Sequence, residues 1–566
     1  MSATTPVTLD RMRSDLGRSQ SRVILASSLG SLFEWYDFFL YGSLSTVISR
    51  QFFSAVNETT GFILALLAFG AGALVRPLGA LVFGRLGDLV GRKRTFLVTI
   101  IIMGLATFLV GCLPGYAAIG VVAPISLLAL RLLQGLALGG EYGGAVVYVA
   151  EHAPADRRAR STAWIQTTGG LGLALSLLVI LACRSSLGGN FERFGWRVPF
   201  LLSAVLLAIS VYIRLQLEES PVFRQMQAEG GLSRAPLTES FARWSNVRKV
   251  LLALVVAAGL TVSAYGAHLY SLLFLERVLK IGARDANLVV VAAVLLGTPF
   301  YVLFAAVSDR IGRKPLVLGG CLLCALSYFP LFQGLVHFGN PALQRAMAAA
   351  PVTVIAPPSE CSFQFDPIGK ASFSSSCDVA KSALTRAGVP YRNEAAPPGS
   401  VALVRIGVKD AAATLESVQG KGLPQATFKA AADAFAATLS QRLSAAGYPA
   451  SQHPAQANYV MLILLCTCLE VILAMTYGPL AAWLVELFPP RIRYTSLSLT
   501  YHLASGWFGA FLPAIAFAAF AATGNIYSGL WYPVAIAFLA FVLGAVFMPE
   551  TRPHGHEHQT APRTLL

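Results

Sequence analysis

Charged residues are scarce in this chain of 566 residues. Asp, Glu, Lys and Arg make up 13% of it, hydrophobic residues make up 55%, and the mean hydropathy is +0.63. Because a soluble globular chain carries roughly 25% charged residues, this shortage excludes an ordinary soluble domain. The apolar residues gather in runs of about 20, the length that crosses a bilayer as a helix. We therefore predict an all-α polytopic membrane protein that lies in a lipid bilayer.

Twelve apolar runs are long enough to span the membrane. They lie at 23–48, 60–84, 95–113, 119–149, 161–183, 198–217, 250–275, 287–307, 316–336, 459–485, 494–522 and 526–548. The first 21 residues lack a short apolar core followed by a small-residue cleavage site. We therefore expect a cytosolic tail there and not a cleaved signal peptide.

Acidic residues are outnumbered, with 28 Asp and Glu against 43 Lys and Arg, so the net charge is +15. Nucleic acid would be one partner for such a charge, but the basic residues follow the membrane topology. With the N-terminus inside, the segments predicted to be cytosolic hold 24 of the 43 basic residues, among them Arg214, and the short outer loops hold seven. This is the positive-inside bias. It predicts that both termini are cytosolic and that nucleic acid is not a partner, and the localisation that we expect is the bacterial inner membrane.

The chain also lacks the motifs of several other activities. It has no Walker A loop and no nucleotide-binding domain, so ATP-driven transport would need a separate subunit and an ion gradient is favoured. No pair of CxxC motifs supports a zinc site. Alternating histidines in the C-terminal tail, His554, His556 and His558, could hold a metal but are expected to be solvated. We expect no enzyme activity, no cofactor and no bound metal.

Two pairs of similar strings indicate an internal repeat. "DLVGRKR" at 88–94 matches "DRIGRKP" at 309–315, an offset of 221 residues. "EHAPADRRARS" at 151–161 matches "ELFPPRIRYTS" at 486–496, an offset of 335. Two homologous six-helix halves explain both pairs if 114 extra residues are inserted within the second half.

The insertion is visible in the composition, because residues 340–458 contain no membrane-length apolar run. The segment follows nine crossings and is therefore predicted to be periplasmic. A strand candidate at 401–408 and an amphipathic helix at 424–446, ended by a glycine, indicate a small α/β unit with loose Pro-rich ends. A partly disordered segment is the alternative. In an oxidising compartment Cys361 and Cys377 would either form a disulfide or remain free thiols.

These observations divide the chain into seven segments. We predict a cytosolic tail at 1–21, a six-helix bundle at 22–217, a cytosolic linker at 218–248, helices seven to nine at 249–339, the insert at 340–457, helices ten to twelve at 458–548 and a cytosolic tail at 549–566.

Two carboxylates interrupt the first span. Glu34 and Asp37 are three residues apart, so they project from about the same face of a helix. An ionised carboxylate at membrane depth costs several kcal/mol unless it is paired, protonated or facing water. We expect both to point inward, either as proton carriers or substrate contacts, or as members of a static buried ion pair.

Arginines inside other spans are candidate partners. Arg131, in the fourth span, cannot lose its proton and needs a carboxylate. This is either a substrate carboxylate held in a bidentate contact, or a permanent pair with Glu141 or a helix-one acid. Gln134 and Glu141 are candidate second contacts near it. Arg76, in the second span and nearer the cytosol, is either a substrate contact or a snorkelling or gate-paired side chain.

Aromatic and polar residues of other spans are candidates for a cavity lining. They are Tyr36, Tyr265, His268, Tyr270, Tyr501 and Trp507. Each of them also fits ordinary packing. Glu470 in the tenth span is a further intramembrane acid, nearer the outer half, that could be ordinary lining. Glycines of the fourth span at small-xxx-small spacing would let neighbouring helices approach closely.

The strings that carry these residues resemble the major facilitator superfamily, and within it the metabolite:proton symporter group that includes proline/betaine, α-ketoglutarate, citrate and shikimate carriers. They are "GSLFEWYDFFLYG" at 30–42, "RPLGALVFGRLGDLVGRKR" at 76–94, "RLLQGLALGGEYGGA" at 131–145, "GWRVPFLLS" at 195–203, "LEESPVF" at 217–223, "SDRIGRKP" at 308–315 and "ELFPPRIRYTSLSLTYHL" at 486–503. The resemblance extends over nearly the whole chain except the insert. It implies twelve helices in two six-helix bundles, a central cavity that opens alternately to each side, and symport with protons.

The resemblance also implies roles for particular residues. It places proton-coupling acids at Glu34 and Asp37 and a substrate-binding arginine at Arg131. It implies a cytosolic gate at Gly84, Asp88, Gly91, Arg92, Lys93, Asp309, Gly312, Arg313 and Lys314. Ser308 stands where the first copy of the gate motif has Gly87, so a weaker latch is expected there.

We therefore expect a proton-coupled symporter of a small carboxylated metabolite, acting as a monomer by alternating access. The expected substrate contacts are Arg131, Gln134, Glu141, Tyr36, Tyr265, His268 and Tyr501. The alternatives within transporters are a symporter of a zwitterionic osmolyte such as proline or betaine, an uncoupled facilitator and an efflux antiporter. The alternative from another class is a membrane receptor that binds its ligand with the periplasmic insert.

Overall fold

The computed structural model describes residues 6–56, 58–216, 219, 221–231, 236–363, 373–407, 412–451 and 456–552. Within these ranges, side chains are described except for residues 6–23, 26, 58, 59, 92, 221, 236 and 237. The tail histidines His554, His556 and His558 lie outside the described residues, as does the side chain of Arg92.

Helices dominate the described residues. The first half contains α1 (Pro6–Ser43), α2 (Ser45–Phe52), α3 (Glu58–Leu74), α4 (Arg76–Val90), α5 (Arg92–Cys112), α6 (Tyr116–Ile119), α7 (Val122–Gly139), α8 (Tyr142–His152), α9 (Arg158–Leu187) and α10 (Arg197–Leu215). The linker contains α11 (Pro221–Ala228) and α12 (Pro236–Ala242). The second half contains α13 (Trp244–Tyr265), α14 (Ser271–Arg277), α15 (Ala283–Ile311), α16 (Lys314–Gly339), α20 (Tyr459–Leu487), α21 (Arg493–Leu503), α22 (Leu512–Thr523) and α23 (Trp531–Phe547). The insert contains α17 (Pro341–Ala349), α18 (Ser376–Arg386), α19 (Gln425–Ala445) and the strands β1 (Val352–Ala356), β2 (Tyr391–Ala395), β3 (Leu403–Ile406) and β4 (Ala413–Glu416).

Eleven helices, or runs of consecutive helices, in the described part of the chain are long and apolar enough to cross a membrane. They begin with Thr60–Val90 and end with Ser528–Phe547, and each overlaps one of the predicted spans two to twelve. The first predicted span falls on α1 and α2, which are not among the eleven. The count of twelve therefore stays a prediction.

Several long helices are interrupted near the middle of the bundle. α3 gives way to α4 at Val75, and α7 gives way to α8 at Gly140 and Glu141. Wide π-helical turns join α13 to α14 and follow α21 directly. Such turns are frequent at functional sites because they re-aim side chains without ending the helix. Here the interruptions carry Arg76, Glu141 and His268.

Glycines of α7 allow an unusually close helix crossing. A Cβ atom on Gly135 would lie 1.6 Å from the carbonyl oxygen of Gly72, and one on Gly139 would lie 2.1 Å from that of Arg76. No side chain fits at these distances, so the backbones of α7 and of the α3–α4 run touch directly.

The two halves are each packed internally and meet along several helix pairs. In the first half α1 packs against α9 and α5 against α10, and in the second α15 and α16 both pack against α20. Between the halves, α9 lies against α15 and α4 against α21. The site described below lies between these contacts.

The insert contains a four-stranded sheet in the order β2-β1-β3-β4. β1 and β2 are parallel and connected through α18, whereas β3 is antiparallel to both β1 and β4. The predicted strand and helix correspond to β3 and α19, and Gly447 follows the helix with φ of 88°. The expectation of a loose N-terminal end is wrong, because α17 begins directly after Asn340, whose side chain caps the helix by accepting from the N–H of Leu343 at 3.0 Å.

The insert is fixed to the end of α22. Lys381 Nζ donates to the carbonyl of Ala522 at 3.1 Å, and the N–H of Tyr391 donates to the carbonyl of Gly524 at 2.9 Å. Carbonyls at a helix C-terminus have no partner within the helix, so the insert supplies the missing donors. On its other side, Gln425 Nε2 donates to a carbonyl of the loop after α2 at 2.5 Å. The insert therefore contacts both halves.

Candidate functional site

Arg214 lies at the centre of the buried charges of the first half. Its Nη2 is 2.5 Å from Oε1 of Glu34 in α1, and its Nη1 pairs with Glu141 between α7 and α8. All three side chains are at most 5% exposed. Glu34 and Glu141, which the sequence offered as partners for Arg131, therefore pair with Arg214 instead. Two carboxylates against one guanidinium leave one negative charge uncompensated, and a single proton would neutralise it.

Arg131 forms a separate group with Asp37. Its guanidinium lies 3.8 Å from the centroid of the Tyr41 ring, and its Nη1 donates to the side chain of Gln134. Gln134 donates to Thr107 at 2.5 Å, and Asp37 contacts Thr107 and interacts electrostatically with Arg131. Nε and Nη2 of Arg131 and Oδ1 of Asp37 have no hydrogen-bond partner in the described structure. Two nitrogens of this guanidinium therefore remain available to donate to a ligand.

Arg76 is buried without a carboxylate partner among the described residues. It is 1% exposed, and none of its three side-chain nitrogens makes a hydrogen bond of good geometry there, although the hydroxyl of Tyr265 lies close to it. Its Cζ lies 4.2 Å from the centroid of the Phe38 ring, and it is close enough to Arg131 and His502 to interact electrostatically with both. An arginine stays charged at membrane depth, where an uncompensated charge is costly. The surroundings of Arg76 therefore favour the binding of an anion.

A cavity of about 30 Å³ lies between the halves. It is lined by Trp35, Phe39, Gln166, Gly169, Ala264, Tyr265, His268, Tyr301, Leu473, Tyr477 and Tyr501. Tyr142 of the first half stacks on Tyr501 of the second with ring centroids 3.7 Å apart, and the Tyr142 hydroxyl donates to Gln166 at 3.1 Å. This volume holds a water molecule or two but not an organic metabolite. The structure therefore represents a form in which the centre is closed.

A histidine–glutamate pair of the second half reaches the same cavity through His268. Nε2 of His268 lies 3.2 Å from Oε2 of Glu470, and both side chains are at most 5% exposed. Sequence reasoning treated Glu470 as ordinary lining, but in the structure it is the partner of a cavity residue. The centre thus has titratable groups on both sides of the interface between the halves.

The structure brings some of the predicted contacts to the cavity and leaves others outside it. Tyr265, His268 and Tyr501 line it. Tyr36 does not, because its hydroxyl donates to the carbonyl of Pro199 at 2.8 Å and so contacts α10. Arg131, Gln134 and Glu141 belong to the adjoining buried network described above.

The first copy of the gate motif contacts the opposite half. Oδ2 of Asp88 accepts a hydrogen bond from Thr495 at the start of α21, at 2.8 Å. Lys93 contacts the C-terminal end of its own half. Its Nζ donates to the carbonyl of Leu215 at 2.9 Å, and its backbone N–H donates to Glu219 at 3.3 Å. The carboxylate of Asp88 lies near the N-terminus of α21, where the helix dipole favours a negative charge.

The second copy of the gate motif, which belongs to the second half, makes the corresponding contact with the first half. The carboxylate of Asp309 accepts from the N–H groups of Ala159 and Arg160 at the start of α9, at 3.2 and 3.0 Å. Arg313 is 2.8 Å from Asp309 and 3.2 Å from Glu486. The two copies therefore join the halves at one end of the bundle, and we call these contacts the latch.

Two glycines of the gate motif have backbone conformations that favour glycine. Gly91 and Gly312 have φ of 112° and 110°, where a side chain is strained. A Cβ atom on Gly84 would lie 3.4 Å from Cα of Thr495, an ordinary van der Waals distance, so α4 and α21 are in contact at the latch. The serine at position 308 accepts a hydrogen bond from Arg313 Nη1 at 3.3 Å, and the weaker latch expected at this copy stays a prediction.

Glu550 anchors the end of the second half to the start of α16. It accepts from the N–H groups of Arg313 at 2.9 Å and Lys314 at 3.1 Å, as Glu219 does from Lys93 in the first half. Partial burial alone would raise the pKa of Glu550, but these two donors and the N–H groups that follow it outweigh burial and lower the pKa. The anchor is therefore ionised throughout the neutral range.

Cys361 and Cys377 are joined by a disulfide in the structure, with Cα atoms 5.2 Å apart. Cys377 lies in the first turn of α18 and is fully buried. The bridge ties the segment after β1 to the crossover helix of the sheet.

Sequence reasoning missed Arg214 as a member of the site. It counted this residue with the cytosolic charges because it stands in the last turn of the sixth span. The signal was nevertheless present, since an arginine inside an apolar run is the feature that singled out Arg131. Tyr142 and Gln166 had no such signal, because aromatic and amide side chains within a span are common in packing.

Comparison with known proteins gives the family. A model of the Major Facilitator Superfamily matches residues 27–349, and a model described as Sugar (and other) transporter matches residues 431–561. The chain is 38% identical over 328 residues to the shikimate transporter of Escherichia coli K12, covering 56% of this chain and 72% of that protein. It is 34% identical over 323 residues to the proline/betaine transporter of Salmonella typhimurium, covering 55% and 64%. It is 32% identical over 314 residues to the citrate-proton symporter of Salmonella typhi, covering 55% and 71%.

Solved structures of similar fold span most of the chain. The partially occluded inward-open form of the xylose transporter XylE from E. coli has a TM-score of 0.59 at 15% identity, covering 94% of this chain and 99% of that one. A crystal structure of a D-xylose-proton symporter has a TM-score of 0.58 at 16% identity, covering 94% and 98%. At such identities the likeness concerns the fold. Because the family model matches more than half of the chain and curated transporters match it at over 30% identity, the chain belongs to the Major Facilitator Superfamily.

Proposed function

We propose that this protein is a symporter that carries a small carboxylated metabolite together with a proton across the bacterial inner membrane. The observation that supports it most is the buried guanidinium of Arg76, which has no carboxylate partner among the described residues and lies beside Arg131 with its two unused donor nitrogens. A planar carboxylate is the ligand that arginine binds best, through two parallel hydrogen bonds. Relatives named as shikimate and citrate transporters are consistent with such a substrate.

The charge balance of the first half supports coupling to a proton. Three arginines, Arg76, Arg131 and Arg214, face three acids, Glu34, Asp37 and Glu141. A bound carboxylate adds one negative charge to this balanced set, and one proton on an acid removes it. Substrate and proton therefore stabilise each other in a low-dielectric site.

The mechanism proposed is alternating access. The latch holds one end closed, and we propose that this end is cytosolic, with the insert on the periplasmic side. Opening on the insert side would admit substrate and proton to Arg76, Arg131 and the triad of Arg214. Neutralisation of the site would then allow the halves to close over the substrate and to release the latch. The domain boundaries and the monomeric state predicted above belong to this proposal.

A zwitterionic osmolyte is the second candidate, because of the aromatic side chains around the cavity. Trp35, Phe39 and Tyr265 line it, and aromatic faces bind quaternary ammonium groups. The proline/betaine transporter among the relatives points the same way. A zwitterion brings no net charge, however, so the positive charge of a bound proton would remain uncompensated at this site. The family match favours transport over the receptor alternative.

Uptake by proteoliposomes tests the proposal. The wild-type protein should accumulate at least one of shikimate, citrate and α-ketoglutarate when the outside is acidic, and much less when no pH gradient is imposed. Arg76→Gln and Arg131→Gln should each lower uptake at least about tenfold, since each removes a charged contact to the substrate. Arg193→Gln, which changes an exposed arginine of the same half, is the matched control. Accumulation of betaine alone would select the osmolyte, and uptake independent of the pH gradient would exclude proton coupling.

A further inference from the structure

Two cavities lie between the insert and the transmembrane halves, away from the central site. One has a volume of about 620 Å³ and the other about 410 Å³. They share Arg50 of α2 and Arg386 of α18, so they are adjacent, and we call them together the vestibule. Each has a volume typical of sites for small organic ligands, in contrast to the small central cavity.

The vestibule is lined mainly by positive charge. Its basic residues are Arg50, Arg184, Arg277, Lys280, Arg386 and Lys429, and its acidic residues are Glu192, Glu276 and Asp433. The six cations come from both transmembrane halves and from the insert. An excess of three positive charges in a concave site raises the local concentration of anions.

The cations of the two halves are held in place around the cavity. Arg277 donates to Oγ1 of Thr46 in the opposite half at 2.8 Å, and its Cζ lies 4.1 Å from the centroid of the Phe62 ring. The guanidinium of Arg184 lies 4.8 Å from the centroid of the Phe191 ring, and its buried Nε has no hydrogen-bond partner in the described structure. A buried donor without a partner is costly, which favours an acceptor from a ligand.

The insert completes the vestibule. Lys280 of the second half donates to the carbonyl of Arg386 at 2.5 Å, which fixes α18 beside the basic cluster. Phe373 and Phe428 of the insert add apolar surface to the larger cavity. The combination of an apolar wall and a basic wall fits a small organic anion better than an inorganic one.

We propose that the vestibule is a second binding site, in which a small organic carboxylate is held before it reaches the central site. This inference rests on the proposed function for the identity of the ligand but not for the existence of the site. It gives the insert a role, because Arg386 and Lys429 belong to it. An anionic lipid headgroup has similar charge, and the experiment separates the two sources.

Ligand binding to the full chain in nanodiscs tests the site. The central site is disabled with Arg131→Gln, the lipid is phosphatidylcholine, and shikimate, citrate and α-ketoglutarate are titrated by calorimetry. At least one of these carboxylates should bind the variant, and adding Arg386→Gln should weaken its binding about fivefold to tenfold, as expected for one charged contact. Adding Arg345→Gln, which changes an exposed arginine of the insert outside the vestibule lining, should leave the affinity unchanged.

Three results would overturn the proposal. The first is that none of the three carboxylates binds to Arg131→Gln, and the second is that binding is equal with and without Arg386→Gln. The third is that no carboxylate binds, whereas phosphatidylglycerol raises the melting temperature and Arg386→Gln abolishes that rise. The last result would assign the vestibule to a lipid headgroup. If Arg131→Gln does not fold, the wild-type protein should show two binding events of which Arg386→Gln removes one. Because the measurement is binding, a failure of uptake would contradict the proposed function and leave the vestibule intact.

Discussion

Nη2 of Arg214, near the end of α10, lies 2.5 Å from Oε1 of Glu34 in α1, and the same guanidinium pairs with Glu141 between α7 and α8. The three residues come from three different parts of one half. The group therefore fixes these helices to one another, and in the proposed alternating-access mechanism it moves with the first half. Its excess negative charge also makes it the best candidate for a proton site.

Removal of the arginine should destabilise the protein strongly. Arg214→Gln would leave Glu34 and Glu141 buried and unpaired, and breaking a buried ion pair in this way costs about 3–5 kcal/mol. We expect a clear fall in the thermal denaturation temperature of the purified protein in detergent. Arg193→Gln, at an exposed arginine of the same half, should cause little change. Equal melting temperatures for the two variants would contradict the structural role of Arg214.

Neutralisation of one carboxylate should separate transport from proton coupling. Glu34→Gln and Glu141→Gln each mimic the protonated state and leave one acid for Arg214, so the fold should survive. We expect exchange of labelled substrate across the membrane to continue, whereas accumulation driven by a pH gradient should be lost. Asp37→Asn is the comparison. If only Asp37→Asn abolished accumulation, the proton would be carried by the Arg131 group; if all three variants kept full accumulation, the proton site would lie elsewhere.

The latch should control which end of the bundle is open. Asp309→Asn weakens a charged contact with the start of α9, and Asp88→Asn weakens the contact with Thr495. Each contact with a helix N-terminus is worth about 1 kcal/mol, so each variant should shift the closed-to-open ratio about fivefold. Distances between spin labels on the two halves near the latch would measure the shift. Asp156→Asn, at an exposed acid beside the latch, is the control.

The positions of the spans could be predicted because the bilayer leaves little choice. A helix needs about 20 apolar residues to cross it, and the chain has few charges to obscure such runs. The strand at β3 and the helix α19 followed from equally local patterns, alternation in one and an amphipathic stripe ended by Gly447 in the other. Features that depend on residues near each other in the chain were therefore the ones that the sequence revealed.

The pairing of charges could not be predicted in the same way. Spacing placed Glu34 on a face of α1, but the choice between Arg131 and Arg214 as its partner depends on how the helices are rotated and how far long side chains reach. The stack of Tyr142 on Tyr501 likewise joins two halves that are far apart in the chain. Such contacts are set by tertiary packing, which a single sequence does not show.

Glu550 should contribute to stability in a way that depends on pH only in acid. Its pKa is lowered, mainly by backbone N–H groups that outweigh partial burial, so its contribution is present above the ordinary glutamate pKa and is lost as the pH falls through the lower folded value. The difference in melting temperature between the wild type and Glu550→Gln should therefore be constant from about pH 6 to pH 8 and shrink below about pH 4. A difference that changed across the neutral range would contradict this assignment.

The disulfide of the insert should stabilise its sheet. Closing a loop of 16 residues between Cys361 and Cys377 restricts the unfolded chain and is worth about 3 kcal/mol. In the full-length protein, replacing both cysteines with alanine should speed hydrogen exchange in β1 and α18 and leave the exchange of the transmembrane helices unchanged. Cys468→Ala, at an exposed free cysteine, is the control. If the double variant and the control gave the same exchange in β1 and α18, the bridge would have no part in the stability of the insert.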